Sequence, residues 1–275
     1  LYAILGVTFN IVLLSIILNT KSSGLKGYAI IIANGACVDI TQILIDALEI
    51  PRMVAYDEYS ILIFHGFCTY IGNEFCVIML HLIFHSLWLI AYLFWYRYTL
   101  LIKAAPSRIV IQVSIMILFI PNAVPMIISM FARDEPEKSV EILGSLYPGI
   151  NITTTTHRSV SLLDPYSAPT DLSAIFGPFI VYTFIAIVRR KILRKLSTLA
   201  HKMSCKTTKM YESLVRALTY HTVLPVTICI GVASFYLQII GIRSSLIDGL
   251  IFVFASIPAV CKPLLTIYFV VPYRR

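Results

Sequence analysis

The sequence predicts an all-α membrane protein, a bundle of seven transmembrane helices with its N-terminus outside. Three observations carry that expectation. Of 275 residues, 58% are hydrophobic and 13% charged, with mean hydropathy +0.85, where a soluble domain holds about 45 to 50% apolar and about 25% charged residues. A 30.9 kDa chain this apolar cannot hide its surface in one core, so most of that surface faces lipid. The apolar residues also collect in seven runs near the ~20 residues that a spanning helix needs. Finally, of the 22 Lys and Arg residues, sixteen fall in the connections this topology places inside, five in those it places outside, and Lys262 lies within a span. Cytoplasmic loops carry such an excess.

The seven runs are 1–19, 27–50, 68–96, 109–130, 172–188, 217–240 and 246–271, read as one transmembrane domain over 1–275. The first has no basic leader or small-residue cleavage site, so it reads as a span and not a signal peptide. The second lies between Lys26 and Pro51, and the third runs from Cys68 to the edge of Arg97. The fourth carries Pro121 and Pro125, the fifth Pro178, the sixth Pro225, and the seventh Pro258 and Pro263. A membrane helix tolerates such prolines where neighbours satisfy the freed carbonyls. Runs this long cannot be strands, and lipid forbids unpaired backbone.

The longest outer connection, 131–171, holds six acidic residues and the lone sequon Asn151-Ile152-Thr153, which makes Asn151 a lumenal glycosylation acceptor. Nothing else reads as a separate domain, repeat or linker. Four of the six cysteines, Cys37, Cys76, Cys229 and Cys261, sit inside apolar runs and read as small core hydrophobes. The chain starts at Leu1, within the first run, and reads as a piece of a slightly longer protein.

Ionisable groups inside a bilayer cost about 2.5 to 3.5 kcal/mol each and are functional candidates. In the third run Glu74, His81, His85 and Tyr92 fall within about 20° of one line at ~100° per residue. That stripe is either a ligand-facing wall, with Glu74 outermost, or polar glue between helices. His81 and His85 have the i,i+4 spacing of a zinc pair, but no Glu follows His81 as a metalloprotease requires. No nucleophile motif or phosphate loop is present, so nothing points to an enzyme, a metal or a cofactor. Asp39 lies 12 residues beyond Gly27 and Lys262 10 residues before Pro272, about 18 and 15 Å deep at ~1.5 Å per residue. That shared depth predicts a buried ion pair, against the alternative that Lys262 snorkels to the interface. Between Arg189 and Arg216, nine basic residues meet Glu212 alone, and Ile192, Leu193 and Leu196 interleave with Arg190, Lys191, Arg194 and Lys195 as in an amphipathic continuation of the fifth helix. Such a face can grip anionic lipid or dock an acidic partner.

Phe94-Trp95-Tyr96-Arg97-Tyr98 closes the third run, Ser204 to Pro225 leads into the sixth, and Pro263-Leu264-Leu265-Thr266-Ile267-Tyr268-Phe269 with Pro272-Tyr273-Arg274 closes the seventh. In these stretches the chain resembles the nematode serpentine chemoreceptors of the G-protein-coupled receptor superfamily, most closely the class delta family. The resemblance implies a rhodopsin-like topology, a small odorant-like ligand bound within the bundle, and coupling to a heterotrimeric G protein through Arg97 and the basic face of Arg189, Arg190, Arg194 and Lys195. It also implies a multi-pass protein of the plasma membrane, in sensory neuron cilia. Lys262 stands where rhodopsin-type receptors place an asparagine before the seventh-helix proline, so its ammonium takes the place of an ion in their polar pocket. No cysteine occurs in 131–171, so the usual tie from the third helix to that loop is missing and the loop is expected to be mobile. A secondary transporter or channel using the same polar groups is the competing reading, against which stands the absence of a visible inverted repeat.

Overall fold

The computed structural model of the chain describes residues 2–20, 26–71, 76, 81–148, 156–200 and 205–269. In chain order these form α1 (Tyr2–Asn19), α2 (Lys26–Glu49), β1 (Pro51–Tyr56), β2 (Tyr59–Phe64), α3 (Cys68–Ile71), α4 (Leu82–Ile102), α5 (Arg108–Ile117), α6 (Ile120–Ser129), α7 (Pro136–Leu146), β3 (Thr156–Ser161), α8 (Ala168–Ala200), α9 (Cys205–Ile239) and α10 (Ser245–Phe269). Six helical stretches among the described residues are long and apolar enough to cross a bilayer, with α5 and α6 counted as one. The described part of the third span is α4. Each helix packs on its neighbours in a closed ring of α1, α2, α4, α8, α9 and α10, and the α5–α6 span lies against α2 and α8.

The surface of this bundle is apolar where a soluble protein's is polar, and its apolar interior also holds polar side chains. Met116 is 74% exposed and Leu18 83%, while Asn10, Asp39 and Gln238 are fully buried. That arrangement suits a bilayer, which takes apolar side chains outside and forces polar ones to find partners within. Proline positions show how those partners are found. Pro263 has no N–H to give the carbonyl of Ala259 one turn earlier, and Asn10 of α1 supplies the missing donor, its Nδ2 lying 3.0 Å from that oxygen and 2.8 Å from the Gly6 carbonyl. Asn10→Ala is therefore expected to cost about 1 to 3 kcal/mol by leaving a buried carbonyl unpaired, read as a lower thermal midpoint in detergent. An unchanged midpoint would show that the Ala259 carbonyl finds another donor. Pro121 acts on the fourth span likewise. It cannot reach the Ile117 carbonyl, and the helix divides there into α5 and α6.

The helical bundle carries an element the apolar runs did not announce, an antiparallel sheet of β1, β2 and β3 in that order. Two sequence expectations are corrected. The third span is not one helix from Cys68, because Cys68 and Cys76 form a disulfide with their Cα atoms 6.2 Å apart. Eight residues of continuous helix would separate them by about 12 Å, so the helix is interrupted and Cys76 is a crosslink, not a lone core hydrophobe. The described part of the 131–171 connection is also packed in place. It contributes α7 and β3, and Glu135 N donates to the Ser159 carbonyl at 2.9 Å while Ser159 N donates to Asp134 Oδ1 at 2.9 Å. Helix also extends further into the basic connection than the apolar runs suggested, with α8 reaching Ala200 and α9 starting at Cys205. Glu74 and Asn151 lie outside the described residues.

Candidate functional site

The sheet roofs one end of the bundle. Its register sets Met53 opposite Leu62, Leu62 opposite Arg158, and Ser60 opposite Val160. These five side chains share one face and line a cavity of about 170 Å³. Residues one step out of phase, Val54, Ile61 and Ile63, form the other face and pack on Ile142 and Leu143 of α7. Both sheet faces are thus buried, which explains why β1 and β2 are apolar at nearly every position. The open edge of β1 is closed by Gln238 of α9: Ala55 N donates to its Oε1 at 2.6 Å, and its Nε2 donates to the Met53 carbonyl at 3.0 Å. An amide here does what a further strand would do for an edge. Tyr147, just beyond α7, donates a short hydrogen bond to Asp248 of α10, and burial followed by that carboxylate holds its hydroxyl well above the usual tyrosine range.

From below, His81, Phe84, Asp171, Ile175, Phe235 and Phe252 complete the cavity wall. His81 is 7% exposed and neither ring nitrogen has a hydrogen-bond partner. Arg158 is equally buried, and its Nη2 donates to the Ser129 carbonyl at 2.8 Å and the Ala132 carbonyl at 3.5 Å. Those oxygens lie at the C-terminal end of α6, where a helix presents negative charge to a cation. His85, the other histidine expected to meet a ligand, does not line this cavity. Its ring stands edge-on to Phe119 at 5.1 Å and is hydrogen-bonded to the Leu118 backbone, at the break between α5 and α6.

The structure brings Asp39 and Lys262 together. Lys262 Nζ lies 2.5 Å from Asp39 Oδ2, Ser86 Oγ donates to Asp39 Oδ1 at 2.7 Å, and Lys262 Nζ donates to Ser86 Oγ at 3.2 Å. One polar knot thereby joins α2, α4 and α10. Gly35 packs beside it, where an added Cβ would lie in ordinary contact with Nζ at 3.4 Å. Sequence reasoning had missed that Asp39 belongs to a longer stripe. Gln42, Asp46 and Glu49 are buried on the same side of α2, within an arc of about 80° at ~100° per residue. Ser256 of α10 donates to Asp46 at 2.7 Å. The phase argument applied to the third run would have found this stripe had it been applied to the second. Glu49 lies beside Cys68 and Cys76, with all three ligand atoms within 4.8 Å, but the disulfide occupies both sulfurs and removes the thiolates a metal would need. Arg158 and Asp171 were missed for a different reason: they lie in connecting sequence, where charge is ordinary.

At the opposite end Arg97 is buried, its guanidinium 4.7 Å from the centre of the Tyr28 ring. Arg189 Nη2 donates to Thr219 Oγ1 at 3.1 Å, tying α8 to α9. Arg190, Arg194 and Lys195 are exposed while Ile192 and Leu196 are buried, the amphipathic pattern expected of an extended fifth helix.

A ring of spanning helices, a roofed cavity at one end and a basic opposite end define a seven-transmembrane bundle of the rhodopsin type. The crystal structure of squid rhodopsin superposes with a TM-score of 0.61, covering 99% of this chain and 80% of that one, at 13% identity, a likeness of fold alone. The chain belongs to the family described as serpentine type 7TM GPCR chemoreceptor Srd, which it matches over residues 1–275. Among similar proteins, Serpentine receptor class delta-18 of Caenorhabditis elegans is 28% identical over 284 residues, spanning 100% of this chain and 84% of that protein. Serpentine receptor class delta-19 of the same organism is 28% identical over the same span. The chain is accordingly a multi-pass membrane protein of a sensory receptor family.

Proposed function

We propose that this chain is a chemosensory receptor of the plasma membrane of sensory neuron cilia, with its N-terminus outside, that binds a small odorant-like molecule in the roofed cavity and signals to a heterotrimeric G protein. The observation that supports this most is the cavity itself: an apolar space of about 170 Å³ with His81 unengaged on its wall. Apolar cavities of about 150 Å³ accept benzene-sized guests. In this reading the sheet end faces outward, Asn151 is glycosylated, and Glu74 lies near the ligand's entry. Arg97, Arg189, Arg190, Arg194 and Lys195 form the inner, G-protein-facing surface. His85 acts one step from the ligand, carrying a change at α4 to the fourth span through Phe119. A ligand works here only through its differential affinity for the signalling state.

The test is a ligand screen in cells expressing the chain with an N-terminal extracellular tag and a cyclic-nucleotide or calcium reporter. With an active compound in hand, His81→Phe is expected to shift the dose-response at least tenfold, a coupling of ~1.4 kcal/mol, with surface labelling unchanged. Identical curves for the variant would remove the cavity from the mechanism. Substrate flux without reporter signal would instead favour a transporter.

A further inference from the structure

Resting on the cavity reading above, we infer that the ligand is a small monocarboxylate with an apolar tail, its carboxylate received by Arg158 and His81. The argument is a census of donors. Ser129 Oγ donates to the Met126 carbonyl at 2.8 Å, Thr170 Oγ1 to the Pro125 carbonyl at 2.9 Å, and Ser167 Oγ to the Ser161 carbonyl at 2.8 Å. Three of the four hydroxyls on the cavity wall are therefore engaged with backbone, and Ser60, the fourth, is a neutral donor weaker than a guanidinium. Two strong donors remain. Arg158 uses one terminal nitrogen on backbone carbonyls, and its guanidinium has five N–H groups in a fork that matches a carboxylate. His81 has both ring nitrogens without a partner and always carries at least one N–H.

Charge points the same way. The described residues place no carboxylate within ion-pair distance of Arg158, and the contacts its guanidinium makes are to carbonyl oxygens at the end of α6. Asp171, in the first turn of α8, lines the same cavity, outside ion-pair distance of Arg158. A ligand anion completes the guanidinium's pairing, while a ligand amine would have Asp171 as its partner, which is why hexylamine is among the probes. The remaining wall, including Phe84, Ile175, Phe235 and Phe252, is apolar and accepts an alkyl or aryl tail.

The experiment uses the purified full chain in detergent, with binding read directly by thermal shift and competition. Four probes of matched length are compared: hexanoate, hexan-1-ol, hexylamine and methyl hexanoate. Hexanoate is expected to bind at least tenfold more tightly than the other three. Arg158→Gln should bring it down to the level of hexan-1-ol, whose affinity stays put, and Arg158→Lys should keep part of the preference. Equal or tighter binding of hexan-1-ol or hexylamine to the unaltered chain overturns the inference without needing any variant, as does a preference that survives Arg158→Gln. Failure of all four to bind the folded chain overturns it together with the cavity. Hexanoate binding without reporter signal in cells would instead sink the receptor reading and leave the site standing.

Discussion

Removing Lys262 alone, as Lys262→Met, is expected to cost about 3 to 5 kcal/mol, because the carboxylate of Asp39 is then left buried with Ser86 as its remaining partner. Asp39→Leu should cost a similar amount for the mirror reason, leaving the ammonium of Lys262, whose side chain is 10% exposed, without its carboxylate. The double variant is expected to recover most of the loss. Two desolvated charges that meet can be exchanged for packed apolar groups with little change in stability, and sometimes with a gain. Thermal midpoints of the four proteins in detergent make the cycle. A double variant no more stable than the weaker single would mean that the two residues do not act as a pair. The knot ties α4 to both α2 and α10, so the double variant also asks whether those helices need a polar link to signal. A recovered midpoint with a lost ligand response would assign the pair to switching, and recovery of both would assign it to assembly.

The pair was legible because depth in a bilayer is a one-dimensional coordinate. Counting residues from each end of two spans placed Asp39 and Lys262 at one level, and only one partner of opposite sign was available there. The helices were legible for a related reason, since lipid permits few alternatives to a long apolar run. The roof was not. Tyr59, Ile61 and Ile63 alternate with Ser60 and Leu62 in the connection after α2, which is a strand period, yet both faces are buried and the contrast between them is weak. The partner strand β3 is Thr156 to Ser161, about 95 residues away in the chain, and short polar sequence announces no such pairing. The third run did carry a sign of its interruption. Gly72, Asn73 and Glu74 stand together between Cys68 and Cys76, and two cysteines eight residues apart can be bridged only if one straight helix does not join them. The cavity residue Arg158 was invisible for want of the strand that aims it.

The junction between α2 and this roof supplies the remaining large effect. A helix leaves its last carbonyls without partners, and α2 ends at Pro51, whose ring disfavours helical backbone in the residue before it; Ile50 there takes a φ of 46°. The carbonyls are recovered by the chain returning from β2. His65 N and Gly66 N donate to the Glu49 carbonyl at 3.2 and 3.1 Å, and Phe67 N donates to the Leu48 carbonyl at 2.6 Å. Two backbones can approach this closely only without a side chain between them, since a Cβ on Gly66 would fall 1.7 Å from the Leu48 oxygen and 2.7 Å from its carbon. Neither atom belongs to a flexible side chain that can swing away. Gly66→Ala must push the strands of the roof off the end of α2, losing some of those hydrogen bonds and disturbing the neighbouring Cys68–Cys76 disulfide. The expected cost is about 2 to 4 kcal/mol, overpacking and lost hydrogen bonds together, seen as a lower midpoint and reduced surface expression. Gly177 and Gly249 are the controls, for a Cβ on either meets nothing within 4 Å. Alanine there should be neutral or stabilising by up to about 1 kcal/mol through helix propensity. If Gly66→Ala behaved like the controls, the backbone contact at Leu48 would not be what seats the roof on the bundle.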